Sequence, residues 1–253
     1  MRSQVRGMAA FLRRLQAMDV ANRGMLFAAV LLFCVVPFVI VLQSLAGRSA
    51  VTKMTERFGL TQDAAKAAGH VFTSPSSTSS TFTGLSWVFL ILGGIAAAAV
   101  LQELYERAFD AEGRGIKDKP RQILWLGAAV AAAALSGWAQ PWLRDVGGPA
   151  LAGVASLAGS TAFWWFSMWL LLAGRLTWRQ LFPSALATGI CWLGMEIVFR
   201  LTMSNMITSN YQKYGPIGLA FALMAFLLAI GLVIILGAIV GVAWRERHSP
   251  TAQ

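Results

Sequence analysis

Glu196 and Arg200 are the residues of this chain whose types and spacing most invite chemistry, because they stand four apart in and just beyond the apolar stretch Leu181–Phe199. On a helix that spacing places both side chains on one face. A single charge near a hydrocarbon core costs about 2.5–3.5 kcal/mol on insertion scales, so each charge is the natural remedy for the other. Trp192 stands one turn before Glu196, and Met203, Ser204 and Asn205 follow Arg200. Such a face can serve in two ways. It can be a satisfied ion pair that orients helices, or the polar wall of an outward-opening cavity that receives a lipid headgroup or another amphiphile. Glu196, Arg200, Asn205 and Trp192 are therefore the candidate intramembrane polar site. Arg200 is also close enough to the end of its stretch to snorkel toward the external surface.

Bond-making chemistry finds no comparable set. Hydrolytic metal sites need His and carboxylates at ligand spacing, whereas the two histidines are His70, in a loop, and His248, at the tail. The sequence contains neither a Gly-x-x-x-x-Gly-Lys-Ser/Thr phosphate loop nor a Gly-x-Ser-x-Gly nucleophile turn. Cys34 and Cys191 both lie in apolar runs without a Cys-x-x-Cys or Cys/His partner, and read as small buried apolar residues. The expectation is a chain that is not an enzyme, with no catalytic residue, no metal ligand and no cofactor.

The elements that must carry the charge pair are six apolar stretches: Met25–Leu42, Gly84–Leu101, Ile123–Trp138 (shorter, ending at Pro141), Leu151–Ala173, Leu181–Phe199 and Ile217–Trp244. About 20 mainly apolar residues at roughly 1.5 Å each cross a hydrocarbon core of about 30 Å. A soluble chain of 253 residues could not bury all six on every face. Backbone groups in lipid must pair within their own segment, so these runs are expected as helices. The composition agrees, with 57% hydrophobic residues, 13% charged residues, 24 Gly and 10 Trp. The fold class expected is an all-α membrane protein, a bundle of six transmembrane helices. It comprises a segment 1–24, a membrane domain 25–244 with an external loop 46–83, and a tail 245–253.

The basic residues orient this bundle. Fourteen Lys and Arg fall in the N-terminal segment, in the connection carrying Arg107 to Arg121, beside Arg175 and Arg179, and in the tail. Six fall on the other side: Arg48, Lys53, Arg57, Lys66, Arg144 and Lys213. Cytoplasmic loops retain the excess, so both termini are expected in the cytoplasm, which an even number of spans allows. The net charge of +10 then points to an anionic membrane leaflet rather than to nucleic acid, since the basic residues are dispersed and accompany no binding motif.

The connections add detail. No apolar core of a signal peptide precedes Met25; instead Val5, Met8, Leu12 and Leu15 recur at helical spacing among arginines, which predicts a short interfacial amphipathic helix. In the external loop, Val51, Met54 and Phe58, then Thr61 as N-cap to an Ala-rich turn, predict short amphipathic helices. The tract from Thr73 to Thr81 reads as a polar linker. The mixed-charge connection Gln102–Gln122 reads as a solvated face, with the second helix continuing through Tyr105 to Phe109 and stopping at Gly113 and Gly115. Gly237-x-x-x-Gly241 is a small-residue pattern suited to fastening the bundle, and Gly93 with Ala97 is another. Pro37 and Gly231 are candidate bends. The aromatic run Phe163 to Trp169 suits either lipid or a groove.

Two C-terminal elements carry a family likeness. The lead-in to the fifth stretch reads Trp-Arg-Gln-Leu-Phe-Pro-Ser-Ala-Leu, from Trp178 to Leu186, and the lead-in to the sixth reads Tyr-Gly-Pro-Ile-Gly, from Tyr214 to Gly218. With Gly237-Ala238 and the Pro-containing first stretch (Pro37), the chain resembles the YihY/BrkB family of bacterial inner-membrane proteins. That family once bore the name ribonuclease BN, a chemistry the scattered histidines argue against. The resemblance implies an integral inner-membrane protein of the cell envelope that transports or flips a lipid or other amphiphile, with membrane lipids as its partners. The alternative is a non-transporting scaffold for envelope integrity, partnered by envelope-assembly proteins. Neither the substrate nor the oligomeric state is written in the residues.

Overall fold

The computed structural model describes residues 22, 25–34, 80–111, 113 and 118–248. The N-terminal amphipathic segment, the external segment 51–68 and Pro37 lie outside the described residues. Within them all regular structure is helical: α1 (Met25–Cys34), α2 (Ser80–Ala108), α3 (Lys119–Leu171) and α4 (Trp178–His248). Every expected apolar stretch is helical as far as it is described, except that the fourth ends in a turn at Leu172–Ala173. Among the described residues, four segments are long and apolar enough to cross a membrane: Gly84–Ala108, Trp142–Leu171, Trp178–Thr202 and Asn205–Trp244.

Three sequence expectations about element ends need correction. Helix α2 begins at Ser80, so the last residues of the Ser/Thr tract are helix rather than linker. Pro141 does not end the third stretch; α3 runs through it, and the non-helical residue is Gly148, at φ 68° and ψ −169°. Likewise α4 continues past Phe199 through the polar segment to Tyr214, and its break is Gly215, at φ 60° and ψ −143°. Both corners lie in a backbone region open essentially to Gly alone. Gly231 introduces no break, since Gly215 is the non-helical position inside α4. Helix α2 ends as expected, at Ala108 with a turn at Phe109–Asp110, where Asp110 takes φ 50° and the Ala111 amide donates to Glu106 O at 2.7 Å.

Packing divides the chain into two units, the first formed by Met1–Met25, Ala98–Leu193 and Gly231–Gln253, the second by Leu26–Ala97 and Gly194–Ile230. In the first unit, Gly241 lies on the backbone of Ser184 and Gly237 on that of Thr188. One step of four forward along α4 matches one step of four back, so these two stretches run antiparallel with both small residues of each in register. A Cβ on Gly237 would stand 2.6 Å from the Thr188 Cα. Without a hydrophobic drive between helices in lipid, such close approach is what dispersion packing requires. The Gly237/Gly241 pattern thus fastens the chain to itself, as its spacing predicted. Around it Leu181, Ala185, Ile234, Ala238 and Val242 are buried.

The aromatic run is divided by facing. Trp164 is buried against Phe163 and Trp192, and the buried Ser167 accepts from Trp125 Nε1 at 3.0 Å. Trp165 and Trp169 instead meet Trp178 at the start of α4. Most of this run is helix packing.

In the second unit, the two sides of Gly215 fold back on each other through Ile207, Leu219 and Ala222, with Phe199 and Phe226 edge to face at 4.4 Å. Gly218 lies over the Asn210 carbonyl, where any side chain would collide with backbone. The Tyr-Gly-x-x-Gly motif therefore has a physical content: its first Gly makes the corner and its second permits the close return. Gly93 of α2 lies against the Cys34 Sγ of α1 in the same unit, and Cys34 Sγ donates to Val30 O at 3.2 Å.

Candidate functional site

Helix α4 places Glu196 and Arg200 one turn apart, and the pair forms: Arg200 Nη2 donates to Glu196 Oε1 at 3.2 Å. Neither side chain is enclosed by protein, with 38% of the Arg200 side chain exposed and 29% of Glu196. The surface beside them is apolar and open, since Ile197, Val198 and Leu201 are all more than half exposed. A half-open ion pair set in an apolar surface differs from a sealed structural pair. The guanidinium has five donors in a planar fork, and its bond to Glu196 uses one of them. An anionic group arriving from the exposed side can add to the fork or take the place of the carboxylate.

The other two members of the expected face fare differently. Trp192 belongs to the first unit and packs against Trp164, with ring centroids 5.4 Å apart. Asn205 is exposed. Thr202, between them in sequence, spends its hydroxyl on its own helix through a 2.8 Å bond to Val198 O. Glu196 and Arg200 are thus the part of the predicted site that the structure brings together.

A second polar constellation, in the first unit, was not anticipated. Gln102 Nε2 donates to Glu106 Oε1 and to Asp118 Oδ2, both at 2.8 Å, while Gln122 Nε2 donates to Gln102 Oε1 at 3.1 Å. Arg121 Nη1 closes on Asp118 Oδ1 at 3.2 Å. Asp118 is 1% exposed, and Gln102 and Gln122 are each 5% exposed. The expectation of a solvated charged face over Gln102–Gln122 is therefore wrong at its two ends. Asp118 is the N-cap of α3, yet it makes no side-chain cap bond, because its carboxylate is taken up by Gln102 and Arg121. Two buried atoms here, the Tyr105 hydroxyl and Gln122 Oε1, have no hydrogen-bond partner among the described residues. The signal was present in part: Gln102, Tyr105 and Glu106 share a helix face by spacing, as do Asp118 and Gln122.

A family model described as Virulence factor BrkB matches residues 11–253. The chain belongs to this family. The match spans all the described residues, including both corner glycines, the charge pair and the buried polar constellation. Searches of curated proteins and of solved structures returned no match. Membership and the apolar helices together make this an integral membrane protein.

Proposed function

We propose that this BrkB-family chain is an inner-membrane protein of the bacterial cell envelope, with six spans and both termini cytoplasmic, that moves a lipid or other amphiphile across or out of the bilayer. It works without bond-making chemistry, cofactor or metal, and its partners are membrane lipids. The observation that carries the reading is the open Glu196–Arg200 pair: a charge-assisted hydrogen bond at 3.2 Å whose two side chains keep 29% and 38% of their surface outside the protein. A polar group that is accessible from the lipid side gives a headgroup somewhere to go while its tails stay in hydrocarbon. The four-residue spacing lets the pair reclose after the headgroup leaves, so the resting state carries no unpaired charge.

The scaffold reading draws on the same bond seen from the other side, since a pair satisfied within one helix needs no ligand. Complementation separates the two. In a strain lacking the chromosomal copy, the E196Q/R200Q variant should reach parental abundance in the membrane and yet fail to restore resistance to envelope stress. Full restoration by that variant would favour the scaffold and sink the lipid-moving reading.

A further inference from the structure

We infer that the corner joining α3 to α4 is a docking site for the phosphate of an anionic phospholipid. The inference needs only that the chain spans a membrane and does not rest on the lipid-moving reading, since the corner belongs to the first unit and lies apart in sequence from Glu196 and Arg200.

The first observation is a preformed aromatic platform. Trp178 is held between two rings, stacked on Trp169 at 5.0 Å and met edge-on by Trp165 at 5.1 Å. Trp165 Nε1 donates to Trp178 O at 2.7 Å, which locks the arrangement to the backbone. Tryptophan rings of this kind sit at headgroup level, where an apolar body meets lipid and a polar edge meets the interface. The second observation is an indole edge left over. Trp169 Nε1 makes no hydrogen bond among the described residues, and it faces Gly174, whose missing side chain leaves that edge uncovered.

The third observation is charge. Arg175 and Arg179 flank Trp178 at the corner, and neither makes an ion pair or side-chain hydrogen bond among the described residues. No Asp or Glu occurs between Asp145 and Glu196, so nothing on this stretch of chain competes for them. The first turn of α4 adds its positive end. Two basic residues within three positions of an aromatic shelf, and an indole donor with no partner among the described residues, are the groups that a phosphate ester with an acyl glycerol beneath it would use. They favour a net-negative headgroup over a zwitterionic one, whose ammonium would meet no carboxylate on residues 146–195.

The test is native mass spectrometry of the full chain in neutral detergent, titrated with phosphatidylglycerol, phosphatidylcholine or inorganic phosphate. The parent should retain phosphatidylglycerol at one saturable site. A basic residue near an anionic surface contributes about fivefold, so R175Q/R179Q should weaken retention on the order of twentyfold. W169F, which keeps a ring and deletes the indole donor, should weaken it a fewfold, and R144Q should match the parent. Neither arginine makes an ion pair or side-chain hydrogen bond among the described residues; R175K/R179K, which keeps the charge, should retain most of the binding and serves if the Gln variant does not fold. Phosphatidylcholine retained as well as phosphatidylglycerol would overturn the proposal. So would a loss in R144Q equal to that in R175Q/R179Q, which would mean diffuse charge attraction. Binding of inorganic phosphate as tight as the lipid would overturn the lipid as occupant.

Discussion

The Glu196–Arg200 bond makes a prediction about which variant suffers most. Removing one partner leaves the other charge uncompensated in an apolar surface, the costly state, whereas removing both leaves two neutral groups. In lipid nanodiscs E196Q and R200Q should each lower the melting temperature, and the double variant should recover part of the loss; equal stability of all four proteins would show that the pair does not matter for folding. The buried constellation around Gln102 predicts two effects of opposite sign. Gln102→Leu strands Gln122 and removes a donor from two carboxylates, and should cost about 1–3 kcal/mol for each buried group left unpaired. Tyr105→Phe removes a hydroxyl that is fully buried and has no partner among the described residues, so it should leave stability unchanged or raised; a clear loss in a melting experiment would show that the hydroxyl has a partner after all. These residues also mark what a sequence can show at this scale. Glu196 and Arg200 were legible because both lie on one helix, four apart. Asp118 and Gln102 were not, because sixteen residues separate them and only the packing of α2 on α3 turns an apparently solvated loop end into a buried network.

At the scale of elements, the apolar runs located the helices, and their ends were the weak point. Polar residues past Phe199 looked like a connection, yet they continue the helix to Tyr214, because a helix that projects from hydrocarbon into water still satisfies its own backbone. Inside the two long helices the break falls where the backbone takes a positive φ with an extended ψ, at Gly148 and Gly215, and not at Pro141. Replacing Gly215 by Ala forces a side chain into that region and should destabilise by about 1–3 kcal/mol, readable as a lower melting temperature. The helix contacts give a paired prediction. Gly241→Ala drives a methyl into the Ser184 backbone and should loosen α4, while Gly153→Ala meets nothing within 4 Å and should be neutral or gain up to about 1 kcal/mol from helix propensity. A protein equally tolerant of both would contradict the close approach of Gly241 and Ser184.

For the whole molecule, the distribution of Lys and Arg predicts sidedness. On a C34A/C191A background, a cysteine at 117 should react only with reagent reaching the cytoplasmic face, and cysteines at 64 and 213 only with reagent outside; residue 117 labelled from the same side as 213 would overturn the six-span arrangement. Sidedness frames the function without deciding it, since a mover of amphiphiles and a scaffold share the same topology. What separates them is movement itself. The most direct measurement reconstitutes the purified full chain in sealed vesicles containing a headgroup-labelled phospholipid and follows how much label becomes accessible to an impermeant quencher. The account predicts that the parent increases the accessible fraction above the half expected of the outer leaflet alone, and that folded E196Q/R200Q does not. A folded parent that leaves the label at one half, across anionic and zwitterionic lipids and with a driving ion gradient of either sign, would contradict it and leave the scaffold.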